Sequence, residues 1–549
     1  MLGSTSPRRS GRTILMACLV MLAAVLLMAA PAFADTTGPV LDAQALQKVL
    51  NAEALPTLQL VPVTATSHPW NGALWQNAPI DLATYGYVEK EYYDSGVANV
   101  YNWVANTDYN TTVLRSGPYT TRLLVREPAN MKTWSGRVIV ELLNSSAMYD
   151  WSAMWSADWP RILKDHDVYV GVTAKSDVLA GMLRFDAARY GALNWANPTG
   201  ATQYENGFIW DITTQLGRLL KSNDKANPLG HKADLVILSG ESQQANFTAT
   251  YYKWFTPAAY FANDGHSKSA KHSKHGRRCA TDRPIFDGYL IECQVGGTPT
   301  LINSAATQLP ATDPQRSTYL PARPVPWMAT NSQWDFPGVR GAPNVTLSAN
   351  TKNQKVDIWE LAGANHNTAY EYLYGDACAA DLVKAGFDAP YTYDWQCTVN
   401  NPEVALEMAD KAAYEGLYKW IATGKQPPAA DPITIQQDAT TGAVSVVFDS
   451  NDNALGGLRL PMIAVPISSF GWGGYALVPP NGLTGGVPGF YAQNVPFSTT
   501  VLQSLYSSKQ DYIAQYTAAA MNLVKQGFLL RSDALQLIGQ ANMATSITW

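Results

Sequence analysis

Short apolar runs separated by turn residues recur through the middle of the chain. Residues 119–126, 136–143, 167–174, 233–239, 285–292, 325–330 and 356–361 each read as a strand. Breaker-poor segments with helical spacing fall between several of them, most clearly 209–220 and 243–254. Near-continuous apolar strands alternating with helices predict a mostly parallel sheet covered on both faces, an α/β fold. Residues 35–110, with scattered Pro and aromatics, read as an irregular N-terminal region, and residues 111–370 as the α/β core. Past His366 the pattern changes. Helical spacing over 402–414, a β-like unit near 443–448, a loop rich in Gly and Pro, and helical segments near 502–527 and 532–543 make up 371–549. That stretch has no core of its own and is expected to pack on the sheet as a C-terminal extension or cap.

The first residues carry a different signal. Arg8, Arg9 and Arg12 precede an apolar run over 14–30, which ends in Pro31-Ala32-Phe33-Ala34. Basic start, apolar middle and Ala-x-Ala end predict a cleavable secretory signal peptide over 1–34, with a retained membrane anchor as the alternative. The expected location is secreted or periplasmic, with no membrane association after cleavage. Five cysteines are present, and Cys18 lies in the leader. The others, Cys279, Cys293, Cys378 and Cys397, allow disulfides in an oxidising compartment. Sequential pairing closes the shortest loops and is the expected connectivity, each bridge contributing about 3 kcal/mol by the chain-entropy argument. No Cys or His spacing points to a metal, and no cofactor is expected. The net charge of −5 and a charged fraction of 15% give no footprint for nucleic acid. The one basic run, 266–278, lacks aromatics and reads as a solvated loop.

The candidate chemistry sits at Gly240-Glu241-Ser242. A predicted strand ends in Gly-x-Ser and a predicted helix follows at once, the layout of a nucleophile elbow. A sharp turn exposes the hydroxyl and leaves the N–H of Gln243 at a helix N-terminus, where it can meet an oxyanion. The fold orders its partners as Ser, acid, His. His366, after the last predicted strand in Gly363-Ala364-Asn365-His366, is the candidate base. Asp335 is the candidate acid, with Glu292 as its rival. Asn144 and Ser145, in the loop after an early strand, are candidates for the second oxyanion donor.

Several segments together resemble a known group. Residues 119–128, 138–144 and 184–190, Gly240-Glu241-Ser242-Gln243-Gln244, Gly363-Ala364-Asn365-His366 and residues 449–461 are similar to the bacterial α/β-hydrolase-domain family, its tenth abhydrolase group. The resemblance runs from about residue 85 to the end. Members usually carry Gly-x-Ser-Gln-Ser-Gly; here Gln244 and Ala245 stand in the last two places, and the acid segment reads Asn331-Ser332-Gln333-Trp334-Asp335. The resemblance implies the α/β-hydrolase fold, with the tail belonging to the hydrolase unit, and a hydrolytic reaction class. Reading and resemblance together predict a serine esterase, using a Ser-His-Asp triad on a small-molecule or polymer ester. A peptidase or amidase using the same residues, or a non-catalytic binding protein on this fold, are the alternatives.

Overall fold

The computed structural model describes residues 38–549 except 77–78, 258–283, 295, 297, 336–338, 341–344, 367–375, 388–403, 441–443 and 471–494. The expected leader, the basic run 266–278, Cys279 and Cys397 lie outside the described residues.

Ten strands form one sheet: β1 (Thr57–Val61), β2 (Tyr87–Trp103), β3 (Thr111–Pro128), β4 (Arg137–Leu143), β5 (Val168–Thr173), β6 (Leu235–Glu241), β7 (Gly288–Glu292), β8 (Trp327–Ser332), β9 (Ser348–Asn350) and β10 (Lys355–Leu361). Their order is β1-β2-β3-β5-β4-β6-β7-β8-β10-β9. The block β5-β4-β6-β7-β8-β10 is parallel throughout, flanked by antiparallel partners. Each predicted strand overlaps an observed one. The chain has the α/β-hydrolase fold read from its sequence.

The side-chain alternation of these strands sorts the core into two layers. Val138, Val140, Val236, Leu238, Tyr289, Ile291, Trp327 and Ile358 face helices Ala43–Ala52, Ile209–Leu220 and Gln243–Phe255. Ile139, Ile237, Leu290, Met328 and Trp359 face helices Ala153–Lys164 and Leu406–Thr423, with the C-terminal helices Lys509–Gln526 and Arg531–Met543 beyond. Both faces are covered, so the parallel strands are buried along nearly their whole length. Each fully buried Leu, Ile or Val contributes roughly 1.5–3 kcal/mol.

The boundaries read from the sequence need correction at the front. Residues 35–110 are not irregular: they hold helix Ala43–Ala52, β1 and β2, and β2 pairs with β3 from Tyr87↔Pro128 to Trp103↔Thr111. The reason lies in the burial of β2: Glu91, Asp94, Ala98, Val100, Tyr101 and Trp103 are buried, while Val88 and Val97 stand exposed. An antiparallel, half-covered strand that buries acidic residues and exposes valines lacks the continuous apolar run that betrays a central strand. At the back, helix Leu406–Thr423 is a layer of the hydrolase unit itself, buried through Leu406, Met408, Ala409, Ala413 and Leu417. Helix Lys509–Gln526 stops at Gly527, whose φ of 97° lets its N–H reach the Leu523 carbonyl at 2.9 Å. No helix among the described residues is long and apolar enough to cross a membrane.

Some of the segments carrying the family resemblance serve the scaffold. In the 184–190 segment, Tyr190 Oη donates to the buried Glu91 at 2.9 Å, and Arg189 also pairs with Glu91. Arg122 Nε meets the same carboxylate at 2.5 Å. Strand β3 and a helical turn are thus tied to one β2 side chain. In the 449–461 segment, Leu458 N–H donates to Glu360 O at 2.7 Å and Ala362 N–H to Leu458 O at 3.2 Å, bracing the end of β10.

Candidate active site

Ser242 follows β6 directly, with φ 54° and ψ −115°, a backbone conformation that costs a non-glycine residue about 1–3 kcal/mol. Neighbours hold it there. Ser242 N–H donates to Glu292 O of β7 at 3.0 Å. A Cβ on Gly240 would stand 2.7 Å from the Gln244 carbonyl oxygen, so the turn accepts only glycine two residues before the serine. Ala245, fully buried, lets the following helix lie against the sheet. Gln244, where the family motif has Ser, is fully buried and donates through Nε2 to Ser145 Oγ at 3.3 Å.

His366 and Asp335 come to this turn from two separate loops. Gly363 N–H donates to Gln333 Oε1 at 2.6 Å and Gln333 N–H to Ala364 O at 3.1 Å, so the loops after β8 and β10 are zipped together. Gly363 has φ 73°, and a Cβ there would meet Ile463 Cδ1 at 2.5 Å. The result is a continuous chain of contacts. His366 Nδ1 lies 2.8 Å from Asp335 Oδ1, and His366 Nε2 lies 2.8 Å from Ser242 Oγ. Ser332 Oγ donates to the other Asp335 oxygen at 2.6 Å. With the proton on Nδ1 and donated to Asp335, Nε2 presents its lone pair to the serine hydroxyl. The Trp334 ring meets the imidazole edge-on, centroids 5.4 Å apart. Ser242, at 9% exposure, is the least covered of the three, the position a substrate must reach.

Glu292 takes a different place. It ends β7 fully buried, and its carboxyl hydrogen-bonds with Asp410 on helix Leu406–Thr423, which also accepts from Thr330 Oγ1. Burial pushes the Asp410 carboxyl up to about 7 against those two hydrogen bonds. The rival acid is thus engaged beneath the sheet, while Asp335 occupies Nδ1 of His366.

The oxyanion candidates separate too. Asn144 N–H is spent on Trp151 O at 2.9 Å, and its Nδ2 donates to Glu241 Oε2 at 2.6 Å. Its Oδ1 accepts Ser146 N–H at 2.8 Å, which fixes the amide orientation. Both Asn144 donors are committed elsewhere, so Asn144 is corrected from donor to support. Ser145 stays beside the elbow, its Oγ 3.0 Å from Gln243 Oε1. Gln243 N–H belongs to the first turn of its helix, where no intrahelical carbonyl reaches it.

Sequence reasoning passed over three residues here. Glu241, the middle of Gly-Glu-Ser, lies with Oε1 3.5 Å from His366 Nε2. Gln333 joins the two loops. Lys175, after β5, reaches Gln243 Oε1 at 3.4 Å and pairs with Asp177. Glu241 and Gln333 stood inside quoted motifs, and no pattern in the chain names their partners. The Cys293 sulfur, a His366 nitrogen and an Asp335 oxygen lie within 4.8 Å of one another. Both ring nitrogens are already hydrogen-bonded, so the group is a Ser-His-Asp chain with a neighbouring sulfur rather than a cage awaiting an ion. No disulfide joins the described cysteines, Cys293 and Cys378. Burial, helped by Asp381, pushes the Cys378 thiol up to about 12. Both bridges of the sequential pairing reach beyond the described residues.

The chain matches the alpha/beta hydrolase domain family over residues 55–539. No curated protein matches it. Among solved structures, it is similar to a thermophilic esterase of the Planctomycetes species Thermogutta terrifontis with propionate bound, at 13% identity and a TM-score of 0.27, covering 53% of this chain and 96% of that one. It is similar to the esterase Est22 at 11% identity and a TM-score of 0.27, covering 56% and 84% of the two chains. A serine hydrolase homologue from Coxiella burnetii matches at 8% identity and a TM-score of 0.24, covering 49% and 91%.

Proposed function

The chain belongs to the alpha/beta hydrolase domain family, and from that premise we propose that it is an exported serine hydrolase acting on carboxylic esters. The observation that carries this reading is the 2.8 Å and 2.8 Å chain from Ser242 through His366 to Asp335, set on a left-handed elbow. Ser242 Oγ attacks the ester carbonyl, its proton passes to His366 Nε2, and the carbonyl π electrons move to oxygen. Asp335 keeps the imidazole oriented and stabilises the imidazolium. Gln243 N–H, with a second donor from the Ser145 loop, faces the oxyanion. The carbon–oxygen bond to the alcohol then breaks as Nε2 returns the proton to the leaving oxygen. Water, deprotonated by Nε2, hydrolyses the acyl-serine. The chain's own residues carry every step, so the reading invokes no cofactor.

An active-site fluorophosphonate tests the reading. Labelling of the native protein that disappears in Ser242→Ala supports it; equal labelling of both proteins, or of neither, overturns it. Turnover of aryl esters against anilides of the same acyl group separates an esterase from an amidase or peptidase. Export by the 1–34 leader rests on the sequence pattern and predicts a mature product beginning at Asp35, read by N-terminal sequencing.

A further inference from the structure

The residue between Gly240 and Ser242 sits where it can act on the base. Glu241 is the last residue of β6 and is 1% exposed. Asn144 Nδ2 holds its Oε2 at 2.6 Å, and its Oε1 lies 3.5 Å from His366 Nε2. That nitrogen is the atom 2.8 Å from Ser242 Oγ, the one that gains a proton during attack. Asp335 faces the opposite ring nitrogen. The imidazole therefore lies between two carboxyl groups, each fixed by its own partner: Ser332 for Asp335 and Asn144 for Glu241.

We propose that Glu241 is a positioning residue for the hydrolytic reaction, a second carboxylate that Asn144 locks beside His366 Nε2 to stabilise the imidazolium formed during serine attack. This rests on reading Ser242, His366 and Asp335 as the triad. A buried negative charge within a few ångströms favours the protonated ring, and the proton delivered from Oγ appears on the side Glu241 faces. It also gives Asn144 a reason to place its side-chain donor away from the oxyanion. The ionisable groups around the pair are Asp335 and Cys293 at the ends of β8 and β7, and Glu292, in Cα register with Glu241. On the neighbouring elements they are Glu141 of β4, Asp410 and Tyr414 of helix Leu406–Thr423, and Lys175 with Asp177 beyond Gln243.

Glu241→Gln tests this, because the amide keeps an oxygen for Asn144 and removes only the charge. With an activated aryl ester we expect kcat to fall about tenfold or more with KM nearly unchanged. The acid limb of the kcat/KM profile should move to lower pH by about one unit, since the ring no longer gains from a nearby anion. Asn144→Ala, which frees the carboxylate, should move the acid limb the same way by less. An unmoved acid limb in Glu241→Gln overturns the proposal, whether turnover holds or falls, because a purely structural side chain changes amplitude and thermal midpoint without displacing the profile. If Glu241→Gln does not fold, an unmoved limb in Asn144→Ala overturns it. Loss of the triad reading would show separately, as fluorophosphonate labelling that persists in Ser242→Ala.

Discussion

Two sets of buried carboxyl groups lie close together at the strand ends of this molecule, and they live under different rules. Above the ends of β6, β8 and β10, Asp335 meets an imidazole N–H and a serine hydroxyl within 2.8 Å. Beneath the sheet, Glu292 and Asp410 hydrogen-bond with each other, and Glu407 and Asp158 are buried nearby on the helices of the same layer. Burial pushes Asp410 and Glu407 up to about 7 and Asp158 to about 6, the last opposed by Arg161. Depth does not distinguish the two sets. What does is the partner: Asp335 faces an imidazole and can orient a base, whereas Glu292 and Asp410 face each other, and two buried acids in contact favour keeping a proton.

The largest effect that would break this contrast is on the upper set. Ser242→Ala and His366→Ala should each reduce ester turnover by about 10⁴-fold or more while leaving the thermal midpoint nearly unchanged, because the three residues act as a unit. Near-normal turnover of an activated ester by His366→Ala would remove it as the base. Next come the two acids compared directly. Asp335→Asn should cost about 10³-fold or more in kcat, and Glu292→Gln should leave kcat within a few fold. The reverse ranking, measured under the same conditions, would exchange their roles.

The lower set governs stability against pH. Carboxyls with raised folded values keep protons that the unfolded chain releases, so their contribution is fully present below about pH 4 and is lost as pH rises toward 7. Asp410→Asn and Glu407→Gln should flatten that slope and raise the unfolding free energy at neutral pH, by about a few kcal/mol at most, with little change at pH 4.5, as read by urea denaturation. An effect of opposite sign belongs to Lys253, on the helix after the elbow. Burial alone lowers its ammonium to about 7 from 10.5. The unfolded chain then binds more protons between those values, and stability rises with pH across that window. Lys253→Met should abolish this rise, as seen in denaturation midpoints at pH 7 and 10.

The supports of the upper set come from distant parts of the chain. The elbow rests on β6 and β7, while the base loop is held by Gln333 and by Leu458 and Ile463 of the C-terminal stretch. A tail that looked like an added cap in the sequence thus closes one face of the sheet and steadies the residue facing Ser242.

Local patterns were enough to read the central strands, the helices 209–220 and 243–254, the elbow, and the order of Ser242, Asp335 and His366. Each depends on neighbouring residues: apolar alternation, a glycine where a Cβ would strike Gln244, a histidine after a strand. The half-covered strand β2 escaped because it buries Glu91 and Asp94 and exposes Val88 and Val97, which masks its period. The pairing of Glu292 with Asp410, the diversion of Asn144 to Glu241, and the approach of Glu241 to His366 belonged to the tertiary structure alone. The partners in those contacts, Asn144 with Glu241, Glu241 with His366 and Glu292 with Asp410, stand 97 or more positions apart. A carboxyl group in a sequence carries no mark of which donor the fold will bring to it.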